Sequence, residues 1–466
     1  MHLEQLYLAC LSQASYLIVD EKTKTALVVD PRRDVGIYLE KASALGARIR
    51  HVLLTHLHAD FLAGHLELRE RTGATIHLGA RARAEYAFAP MEDGGALTLG
   101  DVRLEFLETP GHTPESVSIL VYDLALDAEK PAAVLTGDTL FIGDVGRPDL
   151  LVGVGLSAVD MAGMLYDSLH EKLLKLPDET LVYPCHGAGS ACGKNMSAQT
   201  SSTLGAQRRT NVALQPMSKA QFVVNLTAAQ PETPAYFAYN AKLNRADRPT
   251  LEKVLMRALK PLSLDEVVRE VDGGAQLLDT RDADAFASEH VAGAVNIGLS
   301  GRYASWVGTV LDPEKPIVMI ADPGQEEESA LRLGRIGFDR IAGYLQGGMK
   351  TAAARRSLLV GRARATGESL ARALAGATPP HVVDVRLDGE WNAGHIAGAL
   401  HLPLAALVAQ VSKLPKSREL VLVCKSGYRS SIAASLIERA GFPRVTDLAG
   451  GMDAWLKGAR PVTAEV

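Results

Sequence analysis

Short apolar runs broken by polar turns set the rhythm of the first half of the chain. Residues 17–19, 26–29, 51–54, 102–107, 117–121, 132–135 and 181–183 are short, largely apolar stretches, and predict β-strands. Residues 35–45, 62–71 and 159–176 gather their charges on one face and predict helices. Many strands with interspersed helices predict an α/β sandwich over residues 1–250. The polar, proline-punctuated stretch 215–249 predicts a linker or wrapping arm.

The second half is an internal repeat. Leu277-Leu278-Asp279-Thr280-Arg281 returns as Val382-Val383-Asp384-Val385-Arg386, and His290-Val291-Ala292-Gly293-Ala294 returns as His395-Ile396-Ala397-Gly398-Ala399. Gly337-Phe338 and Gly347-Gly348-Met349 return as Gly441-Phe442 and Gly450-Gly451-Met452. Each copy alternates strand-like and helical runs, so residues 260–355 and 366–463 predict two small parallel α/β domains.

Composition narrows the partners. The net charge of −5 is spread over both signs along the 466 residues, without a long basic run, which argues against nucleic acid and against a polybasic membrane contact. No apolar run reaches the roughly 18 residues of a membrane span. The N-terminus shows no basic segment or signal-like apolar stretch, so the chain is expected to be cytoplasmic. Four cysteines, Cys10, Cys185, Cys192 and Cys424, are too few for a disulfide scaffold. Cys10 and Cys185 are expected to fill core. Cys192, in a Gly/Ser/Ala-rich loop, is a candidate sulfur acceptor.

Thr55-His56-Leu57-His58-Ala59-Asp60 sets two His and one Asp at alternate positions just past an apolar run. Gly111-His112-Thr113, Gly137-Asp138-Thr139 and Cys185-His186-Gly187 likewise put a His or Asp beside a Gly after an apolar run. Ligands at successive strand ends converge on one edge of a sheet. A face of two His and one carboxylate with open positions suits non-haem Fe(II) and oxygen chemistry. A full His/Asp set over two positions suits a zinc hydrolase. In dinuclear hydrolases built on this motif a His follows the Asp. Here Phe61 follows it, and its side chain has no donor atom, which points to one metal.

These ligand segments resemble the metallo-β-lactamase fold. With Gly143-Asp144-Val145-Gly146-Arg147-Pro148-Asp149-Leu150 and the segment from Cys185 to Lys194, they resemble persulfide dioxygenases over residues 1–230. The resemblance implies an αββα sandwich and one Fe(II) per chain, held by His56, His112 and Asp138. His58, Asp60 and His186 would then be hydrogen-bonding groups around those ligands, and His65 structural. It also places Arg147 near the iron, paired with the persulfide or a substrate carboxylate. The alternative is an Arg147 that ties its own loop to Asp149 or Asp144.

The apolar run 420–423 ends at Cys424-Lys425-Ser426-Gly427-Tyr428-Arg429, ahead of a helical pattern. A thiol there gains a nest of loop amides, the positive end of a helix and two nearby cations. All favour a thiolate or persulfide anion. The loop and its flanking landmarks resemble an active rhodanese domain, with Cys424 carrying sulfane sulfur. In the first repeat Ala321 falls opposite Cys424, and the loop Asp322-Pro323-Gly324-Gln325-Glu326-Glu327-Glu328 has no thiol and several acids. That repeat predicts a rhodanese-like domain without sulfur transfer, serving as spacer, docking surface or dimer contact.

Together the resemblances imply oxidation of a low-molecular-weight thiol persulfide, such as glutathione persulfide, by O2 at mononuclear Fe(II). The products are sulfite and thiol, coupled through Cys424 to persulfide, sulfite and thiosulfate exchange. Family likeness favours a homo-oligomer. Two alternatives stand beside this reading: a dinuclear zinc thioester hydrolase of the glyoxalase II type, and a persulfide carrier or sensor acting on a protein partner.

Overall fold

The computed structural model describes all residues except 151–155, 229, 231–232 and 465–466. It divides into two compact units. The first comprises residues 1–253 with 334–337, and the second comprises 254–333 with 338–466.

In the first unit, one six-stranded sheet runs in chain order through His2–Leu8, Gln13–Asp20, Thr25–Val29, Arg48–Leu53, Thr75–Gly79 and Ala89–Met91. The other runs Ser202–Thr203, Leu181–Pro184, Ala133–Gly137, Val117–Asp123, Val102–Glu108 and Ala96–Leu99. Ile18, Leu27, Val29 and Leu53 from the first sheet share one core with Leu104, Ile119, Val121 and Leu135 from the second. Leu120 and Tyr122, the intervening residues of the same strand, join a second core with Leu165, Leu169 and Phe222. Side chains alternate between the faces of a strand, so a strand covered on both faces reads as an unbroken apolar run. This is why residues 117–121 show no polar alternation. Gly36–Ala44 and His65–Thr72 pack against strand Arg48–Leu53 of the first sheet, giving the αββα order.

Three local features depart from the sequence expectation. Of linker or wrapping arm, the stretch 215–249 takes the second form, and it is helical: it holds helices Lys219–Thr227 and Tyr236–Arg245. Ser218 caps the first by accepting from Gln221 N, and Phe222, Tyr236 and Phe237 are buried. The helix expected from residue 62 begins at His65. Before it the chain bridges Ala63 to Arg32, and a Cβ on Gly64 would lie 2.3 Å from the Arg32 carbonyl oxygen. The helix expected over 159–176 is α-helical only to Asp167, then passes through a π-turn, Ser168–Lys172, and a 3-10 turn, Leu173–Lys175.

The second unit repeats one plan. Its two main sheets are five-stranded and parallel. One orders Pro261–Leu262, Ile341–Leu345, Ile317–Ile320, Gln276–Asp279 and Val295–Asn296. The other orders Arg364–Ala365, Val445–Leu448, Leu420–Val423, His381–Asp384 and Leu400–His401. The repeated Asp-x-Arg is a buried clasp. Arg281 and Arg386 each place Nη2 2.7 Å from an oxygen of Asp279 and Asp384. The repeated His is a scaffold group too: His290 and His395 donate Nδ1–H to the carbonyls of Phe286 and Trp391. No helix among the described residues is long and apolar enough to cross a membrane.

Candidate metal centre and sulfur-transfer site

Every metal-ligand candidate of the first unit sits just past the C-terminal end of a strand: Arg48–Leu53 leads to His56, His58 and Asp60, Val102–Glu108 to His112, Ala133–Gly137 to Asp138, and Leu181–Pro184 to His186. Gly137 takes φ +52, a turn open to glycine at little cost. A Cβ on Gly146 would lie 1.9 Å from the Asp138 carbonyl oxygen, so only glycine lets the two loops meet.

Ligand atoms of His56, His112 and Asp138 lie within 4.8 Å of one another, all buried. His112 Nε2 stands 3.3 Å, and His56 Nε2 3.9 Å, from Asp138 Oδ2. His112 Nδ1 donates to the Arg147 carbonyl at 2.9 Å, which leaves Nε2 unprotonated in the neutral ring, as a metal ligand requires. Burial, then the nearby imidazoles of His58 and His112, push His56 well below the ordinary histidine value and keep it neutral. Both Asp138 carboxylate oxygens are buried without a hydrogen-bond partner. An uncompensated buried carboxylate is costly, and a cation among these three groups offsets it. The donor set therefore fits a metal ion.

His58 packs its ring 4.2 Å from that of His56, but its Nε2 is engaged elsewhere. Its Nε2 donates to Asp30 Oδ1 at 3.0 Å, and the Phe61 ring lies 4.4 Å from its own. Asp30 also accepts from Thr55 N and Thr55 Oγ1, each at 2.8 Å. Asp30 was not singled out from the sequence, although Val29-Asp30-Pro31 ends an apolar run as Gly137-Asp138 does. Glu115, also overlooked, accepts from Leu57 N at 3.1 Å.

Asp60, His186 and Cys192 form a second buried group. His186 donates Nδ1–H to the Ser12 carbonyl, and its Nε2 is 3.3 Å from Asp60 Oδ2 and 3.7 Å from Asp138 Oδ1. Burial pulls the His186 pKa down, but those two carboxylates more than offset it and leave it raised. Burial, then Asp60 and Asp138, push the Cys192 thiol well up. Cys185 is buried, and its thiol donates to the Ala14 carbonyl at 3.6 Å. Cys10 is only half-buried, not the core residue expected. His65 is buried against Tyr86. Of the two readings open for Arg147, the geometry matches the arginine tied to Asp149. It is buried, with Nε and Nη2 on the two oxygens of Asp149 at 2.8 and 2.7 Å and Nη1 on the Ala191 carbonyl. Its guanidinium ties loops together, and its carbonyl aims His112.

In the second unit, strand Leu420–Val423 ends at buried Cys424, and helix Tyr428–Arg439 starts four residues on. The Gly427 amide donates to Cys424 Sγ at 3.1 Å, and Sγ is 3.5 Å from Ser430 Oγ. Arg429 is engaged by both oxygens of Glu390, each at 2.7 Å, and Lys425 and Ser426 are exposed. The Gly427 amide and the Ser430 hydroxyl are thus the direct partners of sulfur, at the start of the helix, while Arg429 is paired and Lys425 is solvated. In the other repeat, buried Ala321 follows strand Ile317–Ile320. A Cβ on Gly348 would crowd the Ala321 carbonyl as one on Gly451 would crowd that of Cys424, so Ala321 occupies the thiol's position.

Comparison with known proteins agrees with this division. The metallo-beta-lactamase superfamily matches residues 8–186, and the rhodanese-like domain matches 263–354 and 366–458. Human mitochondrial persulfide dioxygenase ETHE1 is 32% identical over 177 residues, 37% of this chain and 63% of its own length. The chain thus spans a little under two thirds of that relative. The probable metallo-hydrolase YqgX of Bacillus subtilis is 33% identical over 38% of this chain and 85% of its own. A solved metallo-beta-lactamase from Staphylococcus aureus superposes with a TM-score of 0.66 at 31% identity, covering 74% of this chain and 98% of that one. The chain belongs to the metallo-beta-lactamase superfamily, with an N-terminal domain homologous to persulfide dioxygenases followed by two rhodanese-like domains.

Proposed function

We propose that the first unit oxidises a low-molecular-weight thiol persulfide to sulfite and thiol, using O2, water and one ferrous ion per chain, and that Cys424 exchanges sulfane sulfur among persulfide, sulfite and thiosulfate. The observation that carries the reading is the buried trio of His56, His112 and the unpartnered Asp138 carboxylate, with Phe61 in place of a further ligand. Ferrous iron held by the trio would supply the binding and activation of O2 and sulfur that no side chain here provides.

The chain's own groups orient and shield. Asp30 fixes Thr55 and His58 and so sets the loop that carries His56. The Arg147 carbonyl sets the His112 tautomer. Asp60 and His186 border the trio, where a protonated His186 would face an anionic sulfur species. Cys192, beside them, is the candidate acceptor for sulfur. Its raised thiol pKa makes it a poor nucleophile until a cation offsets the carboxylates. At Cys424, the Gly427 amide and the helix terminus favour the anionic persulfide.

A second reading, a dinuclear zinc thioester hydrolase, draws on the closeness of His186 to Asp60 and Asp138. Metal analysis separates the two. Protein purified anaerobically and reconstituted with iron and zinc together should hold one iron per chain. Two zinc ions per chain would overturn the oxygenase reading in favour of the hydrolase.

A further inference from the structure

Cys424 is partnered by a backbone amide whose position is set from outside its own domain. Gly427, which donates that amide to Sγ at 3.1 Å, takes φ +93, in the left-handed region. Its two flanks are held. On one, the Gly427 carbonyl accepts from Arg364 Nη2 at 3.3 Å. Arg364 is anchored by Asp447 at 2.7 Å and by Asp284 of the repeat that lacks the thiol. On the other, the Tyr428 hydroxyl donates to the Gly298 carbonyl of that same repeat at 2.6 Å. The Tyr428 ring lies so close to Gly301 that a Cβ there would sit 2.4 Å from the ring carbon bearing the hydroxyl. The helix that follows is fixed from the same side, with Ser431 Oγ donating to Asn296 Oδ1 at 2.7 Å and Ser435 Oγ accepting from Asn296 N at 3.0 Å.

We infer that the thiol-less repeat is a positioning element for Cys424: through Tyr428 and Arg364 it holds the Gly427 amide on sulfur and so tunes the thiolate and the persulfide. The inference rests on the reading of Cys424 as the sulfur carrier and gives the middle repeat a part in that chemistry. A glycine is needed at 301 for room rather than for conformation. Gly301→Ala therefore pushes on the Tyr428 ring from a domain with no reactive group of its own.

The test is the rate of Cys424 alkylation by iodoacetamide against pH in the full chain, read at that residue by mass spectrometry. Gly301→Ala, Tyr428→Phe and Asp284→Asn should each slow alkylation several-fold at neutral pH and move the midpoint to higher pH, as expected when a hydrogen bond to a charged acceptor weakens. In a Tyr428→Ala background, Gly301→Ala should add nothing, because the ring it displaces is gone. Wild-type rates and midpoints in both Gly301→Ala and Tyr428→Phe, or a further loss in the double variant, would overturn the inference. Sulfur transfer from thiosulfate to cyanide by the wild-type protein, run alongside, tests the underlying reading separately: its absence would remove the carrier role while leaving the alkylation result to decide the positioning.

Discussion

At the scale of single residues, the candidate metal centre of the first unit turns on how each of its three side chains is backed. Asp138 brings two buried oxygens with no donor. His112 brings a ring whose tautomer is set by a carbonyl. His56 is neutral because it is buried among other imidazoles. Behind them stands Asp30, which touches none of the three yet holds Thr55 and His58. Removing such a supporting carboxylate usually costs about 10- to 100-fold in metal affinity. Asp30→Ala should therefore weaken iron binding in that range in a chelator competition while the fold persists; unchanged affinity would show that the loop is set without it. The candidate cluster itself was legible, because alternating His and Asp after an apolar run is a pattern few other pressures produce. Asp30 was not, since an acid before a proline reads as an ordinary turn and its partners lie 25 and 28 residues away. Arg147 shows the opposite difficulty. Its place near the centre was legible, but whether it faces a substrate or Asp149 depends on a rotamer, which spacing does not encode.

At the scale of elements, the strands were read well where they are buried on both faces, and the helices less well where they are short. The 215–249 stretch reads as a linker or wrapping arm without its helices, because these are brief and separated by prolines; Ser218 as a cap and the aromatic residues at 222, 236 and 237 were the available signals. Paired strands also carry a pH dependence. His51, on Arg48–Leu53, and His77, on Thr75–Gly79, are hydrogen-bonded ring to ring at 3.0 Å, so one of them must stay neutral. Burial, and then His51, push His77 down from the ordinary 6.5 to about 4. Between those values the unfolded chain takes up a proton that the folded strand refuses, so stability falls as pH drops from about 6.5 towards 4. The loss should be complete below that window and absent above it. Thermal melts across it should show a declining midpoint for the wild type and a shallower decline for His77→Gln, with the other depressed histidines, His51, His56, His65 and His170, contributing to the remaining slope. Equal slopes would remove the His77 contribution.

At the scale of the whole molecule, one chain joins a candidate oxygenase centre to a candidate sulfur-carrying thiol and to a repeat with Ala321 in the thiol's place. The repeat was legible from matched motifs, and so was its missing thiol; what it does was not, because Tyr428, Gly298 and Gly301 meet only once the two repeats fold together. Tethering presents the product of one site to the other at raised effective concentration, yet each site keeps its own ligands. Cys424→Ser should therefore retain persulfide-dependent oxygen uptake and lose thiosulfate exchange, whereas loss of both would show that the sites do not work independently. The most direct test of the central claim is oxygen consumption by the Fe(II)-loaded protein on addition of glutathione persulfide, with sulfite assayed in the same vessel. Rapid uptake with matching sulfite is the predicted result. No uptake and no sulfite, from protein shown to hold its iron, would contradict it.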